Sequence, residues 1–329
     1  MRFGFIRDNE ARVSITPSTL EKFIKLDHKV NIENQAGVLS GFSDSDYNKA
    51  KFFSKKDLIK NSDIILSVNS SSYGKINDYE GKILISNFSV DSDRKKLKTE
   101  IKKNKVTAYD LSMIPRTTIA QSMDILSSMA GLSGYKSIIK AAELLPKIFP
   151  MTITAAGSIK PVKVVVLGAG VAGLQAIATA KRLGAIVEAS DPRQAAKEEV
   201  LSLGAKFIEV EGALEDKSAG GYAVKQSKEY LAKQKEEVSK RLMQADVVIT
   251  TAQVFGSKSP ILISKDIVEK MNYGSIIVDL ASSTGGNCEL TQDTKIIDHK
   301  GVKIVGNSYL AAELSHDASN LFSNNVFNF

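Results

Sequence analysis

The stretch "KVVVLGAGVAGLQAIATAKRLGAIVEASD" at 163–191 constrains the fold more than any other part of the chain. A β-branched run leads into G-x-G-x-x-G at Gly168, Gly170 and Gly173. A small-residue helix follows with Val171 at its start, and Asp191 closes the next apolar run. Each glycine has its own reason. Gly168 permits a tight turn, Gly170 lets backbone approach a pyrophosphate, and Gly173 lets the helix pack closely on the strand. The helix amino terminus then offers unpaired N–H groups and a positive dipole end to phosphates. Asp191 is expected to accept hydrogen bonds from adenosine ribose hydroxyls and to repel a 2′-phosphate, which favours NAD(H) over NADP(H). Arg193, two residues on, is a group that could serve a phosphate instead. A glycine-rich turn without a cofactor is the blander reading, and the strand, helix and acid in register argue against it.

The same alternation of short apolar runs and amphipathic ones extends over the rest of the chain. "RFGFI", "KVNIE", "DIILSV", "KILISNF" and "VTAYDLSM" read as strands in the first 113 residues. "TPSTLEKFIKL" reads as a helix with Thr16 as N-cap and Pro17 at the first helical position, and "DSDRKKLKTEIKKN" as a second, charged helix. Residues 121–149 read as one long helical stretch, and "AAGSIKP" as a flexible turn after it. Six further strands are expected from "KVVVLG", "AIVEASD", "KFIEV", "DVVITTA", "SIIVDLA" and "KIVG". This pattern predicts an α/β protein of two Rossmann-like domains with parallel, doubly wound sheets and a cleft between them. The N-terminal domain is expected at 1–125 plus 307–329. The nucleotide-binding domain is expected at 126–306, with the long connecting helix at its start.

Composition narrows the function classes. Of 329 residues 43% are hydrophobic and 25% charged, enough apolar material for full cores. The net charge of +7 is spread over interspersed charges, without the basic arm or aromatic-interleaved patch of a nucleic-acid binder. The single cysteine, Cys288, can form neither an internal disulfide nor a thiolate cluster, and the chain reads as intracellular. Its place after Gly285, Gly286 and Asn287 suggests a small buried residue rather than a nucleophile. No His/Cys/Asp group has metal-ligand spacing. The amino terminus lacks the features of a secretory signal, and the longest apolar run is the fingerprint itself, so a soluble protein is expected.

One polar cluster lies outside the fingerprint. Residues 114–128, "IPRTTIAQSMDILSS", hold Arg116, Gln121, Asp124, Ser127 and Ser128 but no histidine, cysteine or lysine. With a helix starting at Ala120, Gln121, Asp124 and Ser127 share a face at spacings of three. By spacing alone this is a capped, solvated helix start. Reactions that make or break a C–N bond at an oxidised carbon need a positioned acid or base, most often histidine. The three histidines, His28, His299 and His316, all lie in turns or near the tail, where packing or surface roles are expected.

Over essentially its whole length the chain resembles the soluble NAD(H)-binding domain I of proton-translocating nicotinamide nucleotide transhydrogenases, a family related to alanine dehydrogenase. The resemblance is carried by "RVSITPSTL" (12–20), "GFSDSDY" (41–47), "PRTTIAQSMDILSSMAGLSGYKSI" (115–138), "GAGVAGLQAIATAKRLGA" (168–185), "AGGYA" (219–223) and "GSIIVDLASSTGGNCEL" (274–290). It implies that Arg116, Gln121, Asp124 and Ser127 line the nicotinamide and its ribose. It also implies that Gly220, Gly221 and Tyr222 belong to a mobile loop closing over nucleotide, and that Asp279 ends a strand facing the cofactor. NADP(H) is then held by a partner subunit, since the chain has one fingerprint. A membrane component moves the protons, a homodimer is expected, and the chain docks at the cytoplasmic face of the inner membrane through its partners. The chain departs from the family pattern at Ile119, in 253–260 and in 307–317. Two other readings stand beside this one: an amino-acid (alanine) dehydrogenase and a non-catalytic NAD-binding module. In alanine dehydrogenases a lysine sits in a "K-x-K-E-P" turn and a histidine follows the next strand. The corresponding "SVNSSSYGK" (67–75) and "ISNFSV" (85–90) do not supply them at those places.

Overall fold

The computed structural model describes residues 1–89, 94–115, 117–210, 228–253 and 257–329. They form two compact units, one of residues 1–129 and 311–329, the other of residues 130–310.

In the first unit the described residues build a six-stranded sheet in the order β3-β2-β1-β4-β5-β6. Its strands are β1 (Arg2–Phe5), β2 (Lys29–Glu33), β3 (Lys51–Phe53), β4 (Ile64–Asn69), β5 (Ile83–Asn87) and β6 (Thr107–Asp110). Every pairing is parallel. Successive side chains of a strand point to opposite faces, so the sheet carries two cores. Leu66 and Val68 of β4 pack with Phe5, Ile32 and Phe322, while Ile65 packs with Ile6, Leu84 and Tyr73. Helices α1 (Pro17–Lys25), α2 (Lys55–Asn61) and α3 (Arg94–Lys103) connect the strands. Thr16, extended at φ −118°, precedes Pro17, and its N–H donates to Thr19 Oγ1 at 3.0 Å.

The second unit has a seven-stranded sheet in the order β11-β10-β9-β12-β13-β15-β14. These are β9 (Lys163–Leu167), β10 (Ile186–Ser190), β11 (Lys206–Phe207), β12 (Val247–Thr250), β13 (Ile276–Asp279), β14 (Lys295–His299) and β15 (Val302–Gly306). All pairings are parallel except that of β14 with β15. β12 and β13 are buried at every position, as central strands covered on both faces must be. Before this sheet, β7 (Thr152–Thr154) and β8 (Gly157–Ile159) form a separate antiparallel hairpin where a flexible turn was expected.

Helix α4 (Ile125–Leu144) starts later than the predicted position at Ala120. Gln121–Met123 form a 3₁₀ turn instead, and Asp124 follows at φ −74°, ψ 92°. Asp124 Oδ1 accepts from Leu126 N at 2.9 Å and Ser127 N at 3.0 Å, satisfying two first-turn amides that have no intrahelical partner. The expected shared helical face of Gln121, Asp124 and Ser127 is therefore replaced by a turn followed by a capped helix.

The remaining helices are α5 (Val171–Arg182), α6 (Ala196–Ser202), α7 (Lys228–Met243), α8 (Lys265–Val268) and α9 (Ser315–Asn328). α9 belongs to the first unit. Ser319 Oγ accepts from Val13 N at 2.9 Å, Thr16 and Ser323 pair their hydroxyls at 3.2 Å, and Phe327 meets Phe23 edge-on at 5.2 Å.

Candidate functional site

In the second unit the strand order reverses between β9 and β12, which both pair with the central part of the sheet. Open parallel sheets bind ligands in the crevice at the carboxyl ends of strands flanking such a reversal. Gly168, Gly170, Val171 and Gly173 come directly after β9 at that place.

Gly168 has φ +98°, and a Cβ there would lie 2.4 Å from Thr251 Oγ1. Its N–H donates to Ser190 O at 2.8 Å and its carbonyl accepts from Thr251 Oγ1 at 3.1 Å, so strands on both sides pin the turn. A Cβ on Gly173 would sit 1.8 Å from Gly168 O, which makes glycine the residue that lets α5 start this close to the turn. Gly170 differs from both: nothing lies within 4 Å of a Cβ built there. Its lack of a side chain keeps space open beside the first turn of α5, where no side chain caps the helix. Free first-turn amides facing open space fit a dinucleotide pyrophosphate.

Asp191 follows β10 with its side chain 5% exposed. Its Oδ2 accepts from Ala169 N at 2.7 Å and Arg193 Nη2 at 3.1 Å. Its Oδ1 accepts from Arg193 N at 2.8 Å and Arg193 Nε at 2.9 Å. Arg193 Nη2 also donates to Ala169 O at 3.2 Å. Asp191 thus stands beside the glycine turn, as a ribose-binding acid would, while the arginine expected to offer an alternative phosphate contact lies folded onto it.

Asp279, at the end of β13, is fully buried, and its carboxylate turns into its own loop rather than facing outward. Oδ2 accepts from Thr291 Oγ1 at 2.6 Å, Asn287 N at 2.7 Å and Cys288 N at 3.0 Å, and Oδ1 from Ala281 N at 3.0 Å. The structure gives it a holding role for the 280–291 loop. Asn287, not singled out by motif reading, extends that hold. Its Oδ1 accepts from Ala252 N at 3.0 Å and its Nδ2 donates to Ala252 O and Pro260 O, both at 2.8 Å. Cys288 is buried, and burial pushes its thiol up to about 11, which leaves it a packing residue.

In the first unit the cap described above brings Asp124 and Ser127 together, and Gln121 lies in the 3₁₀ turn just before them. Gln121 is exposed, and Ser127 Oγ donates to Asp124 Oδ2 at 2.6 Å. Asn325 and Asn328 of α9 both donate from Nδ2 to Ser122 O, at 2.8 and 3.1 Å, and so clamp this turn. Nothing local in the sequence could have flagged them. Arg116, Gly220, Gly221 and Tyr222 lie outside the described residues.

The histidines are engaged elsewhere. His28 packs against Phe3 at 5.1 Å, His316 against Phe42 at 4.7 Å, and His299 Nε2 meets Glu269 Oε1 at 3.0 Å. Asp8, after β1, has a carboxyl displaced toward neutrality. Burial pushes its carboxyl up to about 7 even though Val68 N, Asn69 N and Ser72 Oγ donate to it.

A doubly wound unit with a dinucleotide fingerprint at its reversal, accompanied by a second unit of like strand order, defines a two-domain nucleotide-binding protein. Residues 6–133 match the family model described as Alanine dehydrogenase/PNT, N-terminal domain, and residues 137–329 match its C-terminal counterpart. An NAD(P) transhydrogenase alpha-subunit protein of Rickettsia prowazekii is 44% identical over 331 residues, covering 98% of this chain and 86% of that protein. The crystal structure of transhydrogenase from Sinorhizobium meliloti superposes with a TM-score of 0.91 at 38% identity, covering 99% of this chain and 91% of that one. Alanine dehydrogenase of Staphylococcus epidermidis is more distant, 27% identical over 89% of this chain and 74% of its own. The chain belongs to the NAD(P) transhydrogenase alpha-subunit family, within the wider alanine dehydrogenase/PNT class. Membership in this family implies NAD(H) binding.

Proposed function

We propose that this chain is the NAD(H)-binding component of a proton-translocating NAD(P)+ transhydrogenase, working with a partner subunit that holds NADP(H) and with membrane-spanning partners. Bound NADH supplies a hydride that passes directly to NADP+ on the partner. The chain's own groups bind and orient. Gly168, Gly170, Val171 and Gly173 hold the pyrophosphate, and Asp191 holds the adenosine ribose. Arg116, Gln121, Asp124 and Ser127 orient the nicotinamide and its ribose, and Gly221 and Tyr222 cover the nucleotide. Asp279 contributes from behind, by fixing its loop.

The observation that carries this reading is the glycine turn with open space at Gly170, in a chain whose other polar cluster contains no histidine, cysteine or lysine. Hydride transfer between two nicotinamides neither takes up nor releases a proton at the reacting carbons, so orientation and proximity are the main requirements. An amino-acid dehydrogenase would need an acid or base. The three histidines pack on aromatic rings or pair with Glu269, which supports the transhydrogenase reading. No helix among the described residues is long and apolar enough to cross a membrane, so membrane attachment belongs to the partners in this proposal. The proposal includes a homodimer. Its support is the exposed apolar hairpin, with Met151 64%, Ile153 75% and Ile159 50% exposed, and sedimentation at twice 35.6 kDa is the expected result.

The deciding experiment mixes the chain with an NADP(H)-binding transhydrogenase subunit, NADH and NADP+. NADPH should form, whereas pyruvate, ammonium and NADH with the chain alone should give no turnover. Alanine formation, or no transfer with the partner present, overturns the reading. In the same assay Gln121→Asn should slow transfer about 100-fold by misplacing the ring, with NADH affinity changed far less. A loss confined to affinity would reduce the 121–128 group to a contact surface.

A further inference from the structure

The hydrogen bonds of Asp191 divide into two kinds. Two come from main-chain N–H groups, of Ala169 at 2.7 Å and of Arg193 at 2.8 Å, one to each carboxylate oxygen. These are set by the fold of the turn. The other two come from the Arg193 side chain, Nε to Oδ1 at 2.9 Å and Nη2 to Oδ2 at 3.1 Å, again one to each oxygen. An ionised carboxylate has about four lone-pair sites, so all are taken. The arginine side chain is 38% exposed and covers a carboxylate that is 5% exposed. It therefore lies on the solvent side of the acid.

A ribose with free 2′- and 3′-hydroxyls offers two O–H donors on adjacent carbons. A carboxylate receives such a diol through one lone pair on each oxygen. Those are the two positions that the guanidinium fork fills. We propose that Arg193 is a specificity-determining latch: its guanidinium stands in for the adenosine ribose diol on Asp191, and nucleotide binds by displacing it. This rests on the reading of Asp191 as the ribose acceptor.

Two consequences follow. Displacing the fork breaks two charge-assisted hydrogen bonds, so Arg193 weakens NADH binding while keeping a buried carboxylate satisfied in its absence. The latch also offsets the negative charge by which Asp191 rejects a 2′-phosphate, and a displaced guanidinium is a ready phosphate partner. Arg193 should thus lower the preference for NADH over NADPH from both directions.

Calorimetric titration of the intact chain and of Arg193→Ala with NADH, NADPH, ADP and 2′-deoxy-ADP tests this. The variant should bind NADH and ADP about three- to sixfold more tightly, the scale of a partly exposed ion pair. It should gain less for 2′-deoxy-ADP, which lacks one hydroxyl, and should bind NADPH no better or worse. Arg193→Lys keeps the charge without the fork and should fall between. If Arg193 merely supports the turn through Ala169 O, the variant will bind all four ligands more weakly and by a similar factor, and the latch is overturned. Unchanged affinities overturn it as well. Failure of the unaltered chain to bind NADH or ADP would instead remove the underlying assignment of the site, and the latch with it.

Discussion

The two units share the strand order 3-2-1-4-5 about their first strands, yet they treat the place where that order reverses in opposite ways. After β9 the chain needs only residues 168–170 before α5 begins at Val171, so helix amides arrive beside the strand end with space in front of them. After β1 residues 6–16 intervene before α1 begins at Pro17. Within them Asp8 is driven inward onto Val68 N, Asn69 N and Ser72 Oγ, all from β4 and the turn after it. Arg12 is buried and paired with Glu10. A carboxylate already occupies the first unit's reversal, and open amides occupy the second's. The topology offers a crevice in each, and the first loop decides whether an anion can enter.

The largest expected effect comes from making the second unit resemble the first. Gly170→Asp adds a side chain where nothing lies within 4 Å and where φ is an ordinary −80°. Folding should survive, while NADH affinity measured by fluorescence should fall on the order of 100-fold or more, the worth of lost phosphate contacts plus repulsion. Retained affinity would show that the pyrophosphate does not use this turn, and the contrast between the units would lose its basis.

A smaller effect should follow at Asp8. Its pKa, about 7, lies above the ordinary carboxylate value because of burial. A raised folded-state pKa stabilises the protein fully below the unfolded value near 4, and that contribution is lost as pH rises toward 7. Asp8→Asn keeps an acceptor for the same donors and cannot ionise. The fall in unfolding free energy between pH 4 and 7.5 should shrink by on the order of 2 kcal/mol, somewhat under the full linkage of such a shift. An unaltered pH profile would mean that Asp8 titrates normally, and the contrast would then rest on geometry alone.

The central strands were legible because burial on both faces writes continuous apolar runs, as "DVVITT" and "SIIVD" do. Strands at sheet edges left weaker traces. β3 has only three residues, none buried, and β14 is half exposed along its length. The β14–β15 turn was equally quiet: Lys300 takes φ +52° before Gly301 at +82°, and a lysine does not advertise that conformation. At the site, the fingerprint stood out because its glycines keep the G-x-G-x-x-G spacing between a strand and a helix, where Gly168 takes φ +98° and a Cβ on Gly173 would meet Gly168 O at 1.8 Å. The start of α4 was misplaced because periodicity does not register a carboxylate that caps, and Asp124 does so. The saturation of Asp191 by Arg193 could not be read either, since a spacing of two residues says nothing about where the guanidinium turns. Asn287, Asn325 and Asn328 act across long separations, and single asparagines carry no local signal.

The clamp on Ser122 O by Asn325 lies 203 residues further along the chain. During synthesis, which releases the amino-terminal residues first, Gln121 and Asp124 emerge long before the side chains that steady their turn. The glycine turn at 168–173 and its strands are complete among residues 130–310, whereas the 121–124 turn waits for α9. On the function proposed above, the growing chain would acquire a means of gripping a nucleotide before it acquires the means of aiming one.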